Sequence, residues 1–292
     1  MKGNRLKKIH KAVLCWYTRH GRDLPWRKTR KPYRILLSEV MLQQTQVSRV
    51  LAKYPLFLKR FPNFKSLSAT RTDTVIRAWR GMGYNNRSVR LQILAKQVTK
   101  ECAGKLPQSL PELERLPGIG PYTAHALACF AFGQNVPVVD TNIRRVLQRL
   151  FPSKSDEWKT AQRVLPKRNA YDWNQALMDL GATVCLPRNP RCNICPVVTD
   201  CPSSFRQFKR TFTPKREPSR NGIPNRIYRG RIVELLRMSR RPLRATHVGE
   251  QIMSRFARKD IRWLKDILNG LERDGLLRLK NGKSELRVSL PR

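Results

Sequence analysis

Four cysteines, Cys185, Cys192, Cys195 and Cys201, close one short stretch of the chain with the spacing C-x6-C-x2-C-x5-C. Any fold this sequence adopts has to gather those side chains around one place. Thiols this close together bind zinc or an iron–sulfur cluster far more often than they form disulfides in a cytosolic protein. The spacing leaves the metal open. Zinc sites usually pair short steps, and a compact run with unequal gaps fits a [4Fe–4S] cube at least as well. Arg188 and Arg191 lie in the first loop of the run, where they can also reach phosphate. The other cysteines, Cys15, Cys102 and Cys129, sit in apolar helical contexts and are expected to be buried thiols.

Charge narrows the partner. The chain carries 60 Lys and Arg against 20 Asp and Glu, a net charge of +40 over 292 residues. A field of that sign attracts and holds a polyanion, and nucleic acid is the expected one. The excess is not confined to a tail, since residues 202–292 hold 24 basic and 8 acidic side chains. A basic membrane-surface protein is the alternative, but no segment is long and apolar enough to span and no lipidation signal is visible. The amino-terminal MKGNRLKKIHKAVLCWYTRHG lacks a continuous apolar core and a small-residue cleavage site, so it reads as an amphipathic helix rather than a signal peptide. An odd number of cysteines without an export signal argues for a reducing compartment. A cytoplasmic, nucleoid-associated protein is expected.

Hydrophobic residues make up 40% of the chain, enough for a packed core. Apolar residues recur at three- and four-residue intervals through most of 1–180, as in ILLSEVMLQQTQVSRVLAKYPLFLKRF and SVRLQILAKQVTKECAG. Such spacing predicts helices joined by short turns, an all-α arrangement. Residues 206–225 are basic and rich in Pro and Ser without periodicity, as a linker would be. Beyond them, IYRGRIVELLRMS, THVGEQIMSRF and IRWLKDILNGLERDG read as three helices. LLRLKNGKSELRVSL places Asn-Gly between two half-alternating runs, a hairpin signal. Three helices and a hairpin are the layout of a winged-helix-like α+β unit. The expected division is 1–26, an amino-terminal helix packing with the metal subdomain; 27–135, a helical bundle; 136–205, the cluster subdomain; 206–225, the linker; and 226–292, the winged-helix-like domain.

In LERLPGIGPYTAHALACFAFG a helix, a turn with Gly118 and Gly120, and a second helix form a helix-hairpin-helix. The glycines let the backbone turn sharply and bring N–H groups to a phosphate. An ordinary helix corner is the competing reading, and the charge favours DNA. Asp140 follows the apolar run NVPVV and precedes a helix, so it reads as an N-cap. Near a phosphate-binding hairpin it could also face a sugar about to lose its base. Glu39 lies among Leu36, Leu37, Val40, Met41 and Leu42, where an unpaired carboxylate is costly and its pKa tends to rise. A raised acid paired with an ionised one is what glycosidic cleavage needs.

Taken together, DLPWR, SEVMLQQTQV, GMGYNNR, LPGIGPYTA, VVDTN, NQALMDLGATVC and the cysteine run resemble the endonuclease III superfamily of DNA glycosylases, in particular its adenine glycosylase (MutY) branch. The resemblance runs from about Leu24 to Cys201. It implies two helical subdomains, duplex DNA with a mismatched or damaged base pair as partner, and a [4Fe–4S] cluster on Cys185, Cys192, Cys195 and Cys201. It implies that Glu39 protonates the purine, that Asp140 stabilises the cationic sugar and that Asn142 assists it. Gln43, Gln44 and Thr45 match residues that enter the duplex where the base is flipped out, and Tyr84 matches an aromatic lining the pocket. The glycosidic bond is out of reach inside a stacked duplex, so flipping is a necessity. Tyr122 stands where endonuclease III-like enzymes place a Schiff-base Lys, which implies base removal without an efficient strand-cutting step. The chain departs from the pattern at Asn85, where a second aromatic is typical, and in having a short winged-helix-like end in place of a Nudix-like domain. Removal of adenine opposite 8-oxoguanine or guanine is the expected activity, by a monomer. The rival readings are a glycosylase for thymine or uracil opposite guanine, a non-catalytic DNA-binding protein on the same scaffold, and a winged-helix transcription factor.

Overall fold

A computed structural model describes residues 3–206, 217–282 and 285–292. Its helices are α1 (Gly3–His20), α2 (Pro32–Leu42), α3 (Val47–Arg60), α4 (Phe64–Ala69), α5 (Thr72–Ala78), α6 (Asn86–Glu101), α7 (Leu110–Glu114), α8 (Pro121–Phe130), α9 (Thr141–Leu150), α10 (Glu157–Val164), α11 (Ala170–Thr183), α12 (Asn225–Met238), α13 (Ala245–Ile252) and α14 (Ile261–Arg273). The described residues fall into two compact units that do not follow chain order. One holds residues 3–39, 107–115 and 119–206; the other holds 40–106, 116–118 and 217–292. The residues expected to form one bundle, 27–135, are thus distributed over both. No helix among the described residues is long and apolar enough to cross a membrane.

The first unit is built on α1, α9 and α11. Ile9 and Val13, then Ile143, Val146, Leu147 and Leu150, then Trp173, Ala176, Leu177 and Leu180 recur at three- and four-residue steps and close one buried core. Each large aliphatic side chain fully buried there contributes roughly 1.5–3 kcal/mol. Cys15 falls two positions beyond Val13, about 200° around a helix, and is exposed, contrary to expectation. Cys129 is buried as expected, and Cys102 only partly. Asp179, fully buried on α11, binds Arg22 and Arg27, with Arg27 Nη1 and Nη2 at 2.7 and 2.8 Å from its two oxygens. This bidentate pair, reinforced by the Arg22 backbone N–H at 2.9 Å, ties the DLPWR segment to α11.

In the second unit α3 to α6 pack around Phe57, Trp79 and Leu91, with the rings of Phe57 and Trp79 edge to face at 5.5 Å. Asn63 and Ser66 form a capping box that starts α4. The C-terminal residues have the winged-helix-like order α12–β3–α13–α14–β4–β5, with β3 Leu243–Arg244, β4 Arg278–Asn281 and β5 Leu286–Ser289. The antiparallel sheet runs β3-β5-β4, and Val288 pairs with Leu243 on one side and Leu279 on the other. This domain has no separate core: Ile76 of α5 and Val89 of α6 belong to the same buried cluster as Tyr228, Ile232, Leu236 and Leu268.

The expected linker is partly structured. Residues 207–216 lie outside the described residues, but Ser219–Arg220 and Ile223–Pro224 form a two-stranded ribbon, β1 and β2 in chain order. Asn221 and Gly222, both left-handed at φ 52° and 74°, make its turn. Asn-Gly is the pair that such a two-residue turn favours.

Candidate active site

Tyr122 and Glu39 meet in the first unit. Glu39, 6% exposed on α2, accepts a hydrogen bond of 2.7 Å at Oε2 from the Tyr122 hydroxyl of α8. Burial raises the Glu39 pKa to about 7; the neighbouring Asp140 carboxylate also pushes it up, while the Tyr122 hydrogen bond and the Arg27 charge hold it down. The Tyr122 phenol is itself held well above its usual range, chiefly by burial and then by the Glu39 carboxylate, so it stays a neutral donor.

Asp140 sits at the N-cap of α9, as its position in the sequence predicts. Its Oδ1 accepts from the Ile143 N–H at 2.6 Å and its Oδ2 from the Asn142 side chain at 3.0 Å. Burial raises its pKa, and these donors together with the Arg145 charge pull the other way. The strand-like approach to Asp140 is pinned by Asn174 of α11, whose side chain accepts from the Val138 N–H at 3.0 Å and donates to the carbonyls of Val136 and Ala170. Asn142 in turn accepts from Arg145 at 2.8 Å, and Arg145 donates to the carbonyls of Gly181 and Cys185. A Cβ on Gly181 would stand 2.7 Å from that of Asn142, so α9 and α11 can approach this closely only at glycine.

The four cysteines line a cavity of about 30 Å³ with Arg149, Val184 and Val198. Among the described residues no set of three or more His, Cys, Asp or Glu closes on one point as ligands of a single ion do. Arg149, 7% exposed, donates to the carbonyls of Leu186 and Pro187 at 2.7 and 2.8 Å and to the Cys185 sulfur at 3.3 Å. The buried guanidinium and the Phe205 N–H, 3.3 Å from the Cys192 sulfur, favour negative charge on Cys185 and Cys192. Burial pushes the Cys195 thiol up to about 11 and the Cys201 thiol up as well, a cost that a bound cation would offset. This donor set fits a cluster held by four cysteines. Arg188 and Arg191 are exposed on the first loop.

The hairpin turn is less uniform than the sequence suggests. Gly118 is left-handed at φ 84°, a conformation that favours glycine. Gly120, at φ −99°, is in a conformation open to any residue and is the N-cap of α8; a Cβ there would meet nothing within 4 Å. Its glycine keeps the space before the helix open rather than making the turn.

Gln43, Gln44, Thr45 and Tyr84 come together in the second unit. Gln44 and Tyr84 have left-handed backbones, φ 52° and 41°, and both are exposed, Tyr84 at 54%. A residue that the motifs left without a role holds them. The Arg87 guanidinium, 6% exposed, donates to the carbonyls of Val40, Met41 and Gln43 at 2.7–2.8 Å, to the Thr45 hydroxyl at 2.9 Å and to the carbonyls of Met82, Gly83 and Tyr84. It satisfies the last carbonyls of α2 and fixes two strained turns at once. Burial lowers its pKa to about 10, which leaves it charged at neutral pH. In the sequence it is marked only as the last residue of GMGYNNR.

Residues 37–168 match the family described as HhH-GPD superfamily base excision DNA repair protein. The chain is 38% identical over 264 residues to the adenine DNA glycosylase of Mycobacterium tuberculosis, covering 87% of this chain and 83% of that one. It is 40% identical over 208 residues to the adenine DNA glycosylase of Homo sapiens, covering 65% of this chain and 38% of the human protein. A thermostable thymine-DNA glycosylase is similar in structure, with a TM-score of 0.65 and 31% identity over 68% of this chain and 96% of the other. An endonuclease III trapped on DNA shares the fold at a TM-score of 0.60 and 23% identity, over 68% of this chain and 96% of that one. With its acid pair, cysteine-lined cavity and helix-hairpin-helix, the chain belongs to the adenine DNA glycosylase family of helix-hairpin-helix base excision repair proteins.

Proposed function

We propose that this protein is a monofunctional DNA glycosylase that removes adenine mispaired with 8-oxoguanine or guanine from duplex DNA. The observation that carries the reading is the pair of acids in one buried site with unlike surroundings: Glu39 with a single phenol donor, Asp140 with two donors and a nearby guanidinium. Glu39, with a pKa near 7, keeps a proton available at neutral pH and gives it to the flipped purine. The C1′–N9 bond then breaks and its electron pair leaves with the neutral base. The sugar is left as an oxocarbenium ion beside the Asp140 carboxylate, which Asn142 and the Ile143 N–H keep oriented. Water adds to C1′ and loses a proton, giving an abasic site. Tyr122 has no amine for a Schiff base, so the strand stays intact. Gln44, on a turn held by Arg87, enters the stack as the base leaves it.

Cys185, Cys192, Cys195 and Cys201 would hold a [4Fe–4S] cluster. It would supply a structural cross-link between the end of α11 and the loop bearing Arg188 and Arg191, with no part in bond breaking. Cys195→Ser is expected to lower cluster content and soluble yield together; a folded, colourless and active variant would exclude this role.

The activity is tested by single-turnover excision from duplexes with adenine opposite 8-oxoguanine, guanine or cytosine, and with T:G and U:G pairs. Adenine release from the first two only, lost in Asp140→Asn, is expected. Release of thymine or uracil would keep the acid pair but assign another substrate, and full activity of Asp140→Asn would overturn the mechanism.

A further inference from the structure

Asn85 precedes α6 and is its N-cap, a position where Asn normally accepts a backbone N–H from the first turn. Here its side chain makes no cap bond. Its Oδ1 instead accepts from Arg237 Nη2 at 2.8 Å, and Arg237 lies in the last turn of α12, in the C-terminal domain. Arg237 is 8% exposed, and its Nε donates to the Ile76 carbonyl of α5 at 3.0 Å. Arg77 of α5 makes the return contact, donating to the carbonyls of Arg237 and Ser239 where α12 ends. Arg80 and Glu234 add an ion pair of 2.6 Å beside them. Two guanidiniums therefore cross in opposite directions over the shared apolar core of Ile76, Val89 and Leu236.

The turn they grip is a strained one. Gly81, Gly83 and Tyr84 are left-handed, at φ 84°, 68° and 41°. The Tyr84 ring is 54% exposed, so the direction in which it projects is set mainly by the backbone of this turn. Arg87 holds the turn through the carbonyls of residues 82–84. Nothing in that set restrains Asn85, the hinge between turn and helix, and Arg237 does.

We propose that Arg237 is a positioning residue, through which the C-terminal domain fixes the Tyr84 turn in the conformation that meets the DNA. The inference rests on the glycosylase reading for its effect on catalysis. A misplacement of the order of 1 Å in such a group costs up to about 100-fold in rate, and loss of one of two restraints is expected to cost about tenfold.

Arg237→Met and Asn85→Ala, alone and combined, test it by three measurements: single-turnover excision at saturating duplex, duplex affinity, and amide hydrogen exchange of residues 81–88. Each single variant is expected to slow excision about tenfold with affinity little changed, the pair to be no slower than either alone, and exchange in 81–88 to rise in all three. Multiplicative rate effects, or unchanged exchange in 81–88, would overturn the proposal. Should Arg237→Met fail to fold, Asn85→Ala alone must show the slower excision and faster exchange, and normal values would refute the contact. Should the unaltered protein excise no base, the glycosylase reading fails, while the exchange data still decide whether Arg237 holds the turn.

Discussion

Glu39 and Arg87 are buried to the same extent, 6% exposed each, yet their surroundings treat charge in opposite ways. Arg87 finds seven oxygens, six of them backbone carbonyls. Glu39 finds one phenol, with a second carboxylate nearby. Burial pulls both pKa values toward the neutral form, Arg87 down to about 10 and Glu39 up to about 7. Only the second lands at working pH. The same desolvation thus makes a permanent ionic knot in one unit and a proton donor in the other, and the number of satisfied partners separates a group that positions from one that reacts.

The largest effect expected from breaking this contrast is on catalysis. Glu39→Gln removes the donated proton and should slow excision by about 10²–10⁴-fold in single-turnover assays. Its effect on stability should have the opposite sign. The Glu39 pKa is higher in the folded chain than in the unfolded one, so its burial costs nothing below the unfolded value of 4.5 and destabilises progressively until pH exceeds about 7. Glu39→Gln should therefore gain up to about 3 kcal/mol at pH 8 and nothing near pH 4, as read by urea unfolding. A loss of stability at pH 8 would contradict the burial argument.

Arg87→Met is the counterpart. It removes the guanidinium from the Val40 and Met41 carbonyls, while those of Gln43, Met82, Gly83 and Tyr84 keep a second donor. It should cost about 2–4 kcal/mol, measured by the same unfolding at neutral pH. A variant within 1 kcal/mol of the parent, roughly the effect of a surface change, would mean that the knot is dispensable. Gly181→Ala acts between these extremes. The added methyl overlaps Asn142 and should cost about 1–3 kcal/mol, with slower excision because Asn142 orients Asp140. The smallest change is Tyr122→Phe. Losing the phenol donor removes an interaction that lowers the Glu39 pKa, so the basic limb of the pH–rate profile should move to higher pH; a shift to lower pH would reverse the assigned role of the hydroxyl.

What was legible in the sequence is what residue type and spacing encode. Ile143, Val146, Leu147 and Leu150 announce the buried face of α9, and Asp140 before them announces its cap. Glu39 stood out because five apolar neighbours surround a charge. Arg87 did not, because its partners are backbone carbonyls and leave no trace in the identities of residues 40–45 or 82–84. Asn174 and Arg145, which anchor the Asp140 segment, were hidden for the same reason. Ile76 and Val89 read as ordinary helical positions, so their share in the core of the C-terminal domain could not be seen from periodicity. The Asn221-Gly222 turn was readable and was obscured by the Pro and Arg around it.

The most direct test of the central claim is the pH dependence of single-turnover adenine excision, in the parent and in Glu39→Gln. The parent rate should fall as pH rises through about 7, and the residual rate of Glu39→Gln should have no such limb. A parent profile flat from pH 6 to 9, or a basic limb that persists in Glu39→Gln, would mean that Glu39 is not the proton donor.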